Sequence, residues 1–115
     1  MRFASLGSGS KGNSTLIEAA NTCLLVDCGF TVKETEARLE RLGKAGSDLD
    51  AVLVTHEHGD HIKGVGALAR KYKLPVYLTA GTLQQGRFGN LPYVETINCH
   101  QPFVIKDIVV QPVPV

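Results

Sequence analysis

Apolar positions along the chain change period several times, and each change marks an element. Residues 2–6 and 14–19 flank a Gly/Ser-rich stretch, and 22–27 (TCLLVD) follow after Ala20-Asn21, which predicts three short strands in an antiparallel meander. Thr31-Val32-Lys33-Glu34 fits a capping box, with Thr31 able to accept from the Glu34 amide. Good helix formers then run to Leu42 before Gly43, so a helix is expected with both ends signed. Ala51-Val52-Leu53-Val54 is a short uninterrupted apolar run, the pattern of a strand covered on both faces. Ile62, Val65, Leu68, Ala69 and Tyr72 recur at three- and four-residue spacing, which predicts a helix from near Asp60 to the break at Lys73-Leu74-Pro75. Val76-Tyr77-Leu78 reads as another buried strand, residues 80–87 as a short helix or loop, and 102–105 with 108–112 as a hairpin around Lys106-Asp107.

The strand over 51–54 leads directly into His56-Glu57-His58-Gly59-Asp60-His61. In an extended segment alternate side chains point the same way, so His56 and His58 present two imidazoles to one point while Glu57 faces elsewhere. Gly59 lets the backbone turn, which puts Asp60 and His61 in the first turn of the next helix, facing back across the same space. Neutral imidazoles with a carboxylate suit zinc first and manganese second, and two such ions about 3.5–4 Å apart clamp the attacking and leaving oxygens of a hydrolytic displacement. Isolated histidines are ordinarily surface or satisfied core residues; three within six positions, beside Asp and Gly, are not accounted for that way.

The opening segment contains Gly7-x-Gly9-x-x-Gly12, formally a dinucleotide-binding fingerprint, but a strand follows it instead of a helix, which excludes that reading. Two readings stay open. One is a Gly-rich hairpin turn; the other places Ser10, Lys11 and Asn13 at a cleft mouth, in contact with substrate phosphate.

Composition narrows the setting. A length of 115 residues with 43% hydrophobic content is one domain's worth of material with a small core. A net charge of +1 provides no global basic field, so a nucleic-acid surface would have to be local. Lys63, Arg70, Lys71 and Lys73 on one helix read as a solvated face before a DNA-tracking patch. The first residues lack a signal-peptide pattern and no apolar run reaches membrane-spanning length, which predicts a cytoplasmic protein that binds no membrane. Three irregularly spaced cysteines predict buried, reduced thiols. A zinc site from Cys23, Cys28, Cys99 and His100 is disfavoured because no close C-x-x-C pair exists, and His100 reads as a loop residue.

Thr55-His56-Glu57-His58-Gly59-Asp60-His61 matches the T-H-x-H-x-D-H signature of the metallo-β-lactamase superfamily at every signature position, and the chain resembles that family. The resemblance implies an α+β fold, the four-layer αββα sandwich, of which this chain supplies about the N-terminal half. It assigns His56 and His58 to one metal ion and Asp60 and His61 to a second, with Asp60 also placed in catalysis. Leu24-Leu25-Val26-Asp27-Cys28-Gly29 is similar to the family's apolar strand ending in Asp and Gly, which makes Asp27 a hydrogen-bonding brace behind the metal loop; an ordinary strand-end turn residue is the alternative. A closer resemblance, carried by SLGSGSKGNS and HEHGDHIKG, is to the bacterial WalJ/YycJ branch. It implies a dinuclear phosphodiesterase or 5'-3' DNA exonuclease acting on DNA or a small phosphodiester. The same ligand set serves small esters, thioesters and cyclic phosphates, and a noncatalytic metal-binding module is a further alternative.

The family's remaining ligands, a third histidine, a bridging aspartate and a last histidine, have no counterpart in residues 1–115, so the chain is expected to be one part of a single domain that stops at Val115 just short of a ligand. By itself it is expected to be weak or inactive as an enzyme. An uncovered sheet face is expected to favour self-association.

Overall fold

A computed structural model describes residues 1–113. The three N-terminal strands form as expected: β1 (Arg2–Gly7), β2 (Ser14–Glu18) and β3 (Cys23–Val26), each antiparallel to the next. Helix α1 (Val32–Glu40) follows, and its N-cap Thr31 accepts from the Glu34 amide at 3.2 Å. After a 3-10 turn at Gly46–Asp48 come β4 (Ala51–Leu53), α2 (Gly59–Ile62), α3 (Val65–Tyr72), β5 (Pro75–Thr79) and α4 (Ala80–Gln85). Strand β6 (Tyr93–Ile97) and the hairpin β7 (Phe103–Ile105) and β8 (Ile108–Val110) complete the described chain. Pro114 and Val115, on which the expected continuation towards a further ligand falls, lie outside the described residues.

Strands β1 to β6 form one sheet in sequence order. From β3 onward neighbours are parallel, because each connection carries helix back across the sheet. Alternation along β3 divides the core. Leu25 joins Leu16, Val52, Val76 and Leu78 on the face covered by Leu39 of α1 and by Val65, Leu68 and Ala69 of α3. Leu24 and Ala51 face the other way, against Ile105 and Ile108 of the hairpin. The layers are helices, sheet, hairpin.

The helix expected from near Asp60 to Tyr72 is two helices. The backbone at 28–30 passes so close that a Cβ on Gly64 would lie 2.0 Å from the Phe30 carbonyl oxygen, and the Gly64 N–H donates to the Cys28 carbonyl at 2.9 Å. One amide thereby leaves the helical ladder, and the helix restarts at Val65. Strand β6 was not expected: four of its five residues are exposed, so no burial alternation marks it, and it is a parallel edge strand on β5.

Candidate metal centre

Three loops at the ends of β1, β3 and β4 are laced together by main-chain hydrogen bonds. The Asn13 N–H donates to the Asp60 carbonyl at 2.7 Å, the Cys28 N–H to the His61 carbonyl at 2.8 Å, and the Gly29 N–H to the Asn13 carbonyl at 3.0 Å. Glycine is required at 29, where a Cβ would meet the Asp60 carbonyl oxygen at 1.9 Å. The lacing seats α2, and with it Asp60 and His61, against the end of β3.

Asp27 stands at the centre. It is 4% exposed and adopts φ 61°, a left-handed conformation that costs a non-glycine residue on the order of 1–3 kcal/mol and is tolerated here because every polar atom is engaged. Its N–H donates to the Leu53 carbonyl at 2.8 Å and its carbonyl accepts from the Ser14 hydroxyl at 2.8 Å. Its carboxylate accepts the Thr55 N–H at 2.8 Å, the Thr55 hydroxyl at 2.6 Å and the His61 Nδ1–H at 2.6 Å. A carboxylate only accepts, so the single Thr55 hydroxyl proton points to Asp27. Thr55 Oγ1 is therefore the acceptor towards His56 Nδ1, 2.9 Å away, which carries the proton. Both rings are thus set in the same tautomer, with Nδ1 protonated and the Nε2 lone pair free.

The rings of His56 and His61 lie 3.9 Å apart between centroids, tilted by 48°, and His58 meets His56 edge-on at 4.8 Å. His61 Nε2 is 3.8 Å from Asp60 Oδ2. That carboxylate oxygen also accepts from the Asn13 side-chain amide at 3.0 Å. All four motif residues therefore gather at one place. The candidate ligand atoms of Asp27, His56 and His61 fall within 4.8 Å of one another, but the Asp27 oxygens already receive three hydrogen bonds, the arrangement of a brace.

Beside the cluster is a cleft of about 720 Å³, lined by Ser10, Lys11, Gly29, Glu57, Gly59, Asp60, Ile62, Lys63, Gln85 and Arg87. Ser10 and Lys11 stand in its wall, whereas Asn13 faces the protein: its side-chain amide donates to the Gly9 carbonyl at 2.8 Å and to Asp60, and its Oδ1 accepts the Gly9 N–H at 3.0 Å. Sequence reasoning gave Thr55 no role of its own and did not single out Arg87. The threonine's place beside the first histidine was a signal that could have been followed; Arg87, a lone cation after Gly86, offered none. Cys23 and Cys28 are buried free thiols and Cys99 is half-buried. Cys28 packs at 3.2 Å from the Thr35 hydroxyl, and burial raises its pKa. His100 is exposed in a turn, away from the other histidines' hydrogen-bond network.

Residues 7–87 match the model of the metallo-beta-lactamase superfamily. The chain is 39% identical over 105 residues to exodeoxyribonuclease WalJ of Streptococcus pneumoniae serotype 2 (strain D39 / NCTC 7466), covering 91% of this chain and 38% of that protein. It is 45% identical over 94 residues to exodeoxyribonuclease YycJ of Bacillus anthracis, covering 80% of this chain and 36% of the relative. The solved structure of the Rm3 metallo-beta-lactamase superimposes with a TM-score of 0.77 at 17% identity, over 93% of this chain and 46% of that one, which is a likeness of fold. The chain thus spans well under half the length of the relatives it matches.

Proposed function

Because the chain belongs to the metallo-β-lactamase superfamily, whose fold it shares over about half that fold's length, we propose that it forms the N-terminal part of a single hydrolase domain with a dinuclear metal centre that cleaves phosphodiesters, DNA foremost. His56 and His58 would hold one ion and Asp60 and His61 the other, zinc before manganese, with Asp60 also at the reacting centre. The donor set fits: two imidazoles present free Nε2 lone pairs, a third ring stands edge-on to one of them, and a carboxylate stands 3.8 Å from one of the nitrogens. When bound, such ions supply Lewis acidity and lower the pKa of water.

The observation that carries this reading is the Asp27–Thr55 brace. A buried carboxylate with three donors, held in a left-handed conformation, fixes the tautomer and orientation of two histidines at once. A partner of this kind behind a histidine sets the ring's orientation and raises its basicity as a metal ligand. Phosphodiester is favoured over lactam or thioester by two relatives named exodeoxyribonucleases and by the lysines and arginine around the cleft. Among the described residues no helix is long and apolar enough to cross a membrane, and the free thiols support a cytoplasmic setting. Val104 and Val109, 60% and 69% exposed on the hairpin, leave apolar area that self-association or further chain would cover.

The test is a product-length assay on end-labelled DNA with the full-length protein, alongside metal analysis. Stepwise shortening together with about two zinc or manganese ions per molecule, both lost in His58→Ala, is the expected result. Turnover of a thioester with no cleavage of DNA or of a simple phosphodiester would overturn the proposal.

A further inference from the structure

We propose that the cleft beside the histidine cluster is a backbone-reading subsite, in which Lys11, Lys63 and Arg87 grip successive phosphates of a polynucleotide without reading its bases. The proposal deepens the phosphodiesterase reading above and rests on it.

The three cations come from segments remote in sequence. Lys11 lies in the turn between β1 and β2, Lys63 caps the C-terminal end of α2, and Arg87 follows α4. The fold brings them to the walls of one cleft of about 720 Å³ that also contains Asp60. A cleft of that size suits a ligand much larger than one phosphate group.

Their charge is also unspent. Five other Lys and Arg side chains among the described residues sit in ion pairs with carboxylates; none of these three does, although Glu57 lines the same cleft. The second acidic group there, Asp60, is held by the Asn13 amide and stands by His61. Three exposed cations with no protein partner are a polyanion's counterions in waiting. Binding would release salt from the nucleic acid.

The residues this chain contributes to the wall favour one ligand over another. Ile62 is the one large apolar side chain in its wall, and no aromatic ring is there among the described residues. Discrimination between bases needs stacking platforms or side chains set against base edges, whereas phosphate contacts position a strand without sequence information. A small cyclic phosphodiester has a single anionic group, so three separate cations on one cleft favour the polymer.

Fluorescence anisotropy of labelled single-stranded oligonucleotides on the full-length protein tests this. For Lys11→Gln/Lys63→Gln/Arg87→Gln the expected result is affinity down by about tenfold or more, and a slope of log K against log salt shallower by about 2, at roughly 0.7 per lost contact. Metal content should match the unmutated protein, since none of the three is proposed as a ligand. Homopolymers of equal length should bind the unmutated protein within a few-fold of one another. Arg87→Gln alone, at an exposed site, should produce about a third of the slope change and serves if the triple variant does not fold. Unchanged affinity and slope, or a preference of more than about tenfold for one base, would sink the proposal. A protein that binds with the expected slope but cleaves no diester would instead overturn the catalytic reading and leave the subsite standing.

Discussion

On the helical face of the sheet, Leu16, Leu25, Val52, Val76 and Leu78 are fully buried and are held by apolar contact alone. Just past the ends of β3 and β4, Asp27, Thr55 and His56, together with His61 of α2, are held by directional hydrogen bonds of 2.6–2.9 Å. The two regions share strands β3 and β4 but obey different rules. Apolar burial responds to volume and tolerates one apolar side chain in place of another of similar size. The brace responds to the identity of single protons, because each member's donor or acceptor state is set by the next. A fold built this way can lose function without losing stability, and the reverse.

The largest expected effect lies on the core side. Leu25→Ala removes a side chain fully buried between β3 and the helices and should lower unfolding free energy by about 2–5 kcal/mol, while Leu25→Met should cost less than about 1.5 kcal/mol. Denaturant titration of both variants reads the difference. If the methionine variant proved as damaging as the alanine variant, the core would be as particular about shape as the loops are about protons, and the comparison would fail.

Asp27→Asn asks the converse question. The substitution nearly preserves volume, and one side-chain oxygen can still accept from the Thr55 N–H, but an amide nitrogen replaces an acceptor that now serves both the Thr55 hydroxyl and His61 Nδ1–H. Two donors would then face a third, so the histidine tautomers come undone. Metal affinity, measured by competition with a chelator, should fall about 10- to 100-fold. Unfolding free energy should fall by only about 1–3 kcal/mol, from the unsatisfied groups. Metal affinity within twofold of the unmutated protein would remove Asp27 from the site's support.

The two regions were also unequally legible in the sequence. His56 to His61 could be read because their spacing is local: alternation in an extended segment, a glycine, then a helix turn. The capping box at Thr31 and the strands through Leu25 and Val52 were local as well. Asp27 was legible as a strand-end brace, but its link to Thr55 spans 28 positions and no pattern announces it. The break at Gly64 depends on the backbone of residues 28–30 crossing the helix start, a tertiary event without a sequence period. Asn13 is similar. Read as part of a Gly-rich turn or as a phosphate contact at a cleft mouth, it spends its amide on Gly9 and Asp60, the latter 47 positions away. Strand β6 escaped because an exposed edge strand has no hydrophobic face to alternate, and only its β-branched residues hinted at it.

The smallest effect sharpens the comparison from the core side, where burial is non-directional but still has a chemical signature. Cys23 is 7% exposed, and burial, reinforced by the Glu18 carboxylate, pushes its thiol from 9.0 up to about 11. The folded state therefore retains this proton at pH values where the unfolded chain has released it. Fewer protons bound by the unfolded state mean that stability falls as pH rises, starting near the unfolded value of 9.0 and levelling off above about 11. Cys28, also raised by burial, adds to the same decline. Cys23→Ala should lower stability at neutral pH through lost packing, yet its melting temperature should fall less steeply between pH 9 and 11 than that of the unmutated protein, with the remaining slope due to Cys28 and to Lys44, Lys71, Tyr72 and Tyr77, whose pKa values are also raised. The comparison is one of slopes, so the packing loss cancels. Parallel slopes for the two proteins would mean that Cys23 ionises in the folded state as easily as in the unfolded chain, and that this edge of the core is open to water.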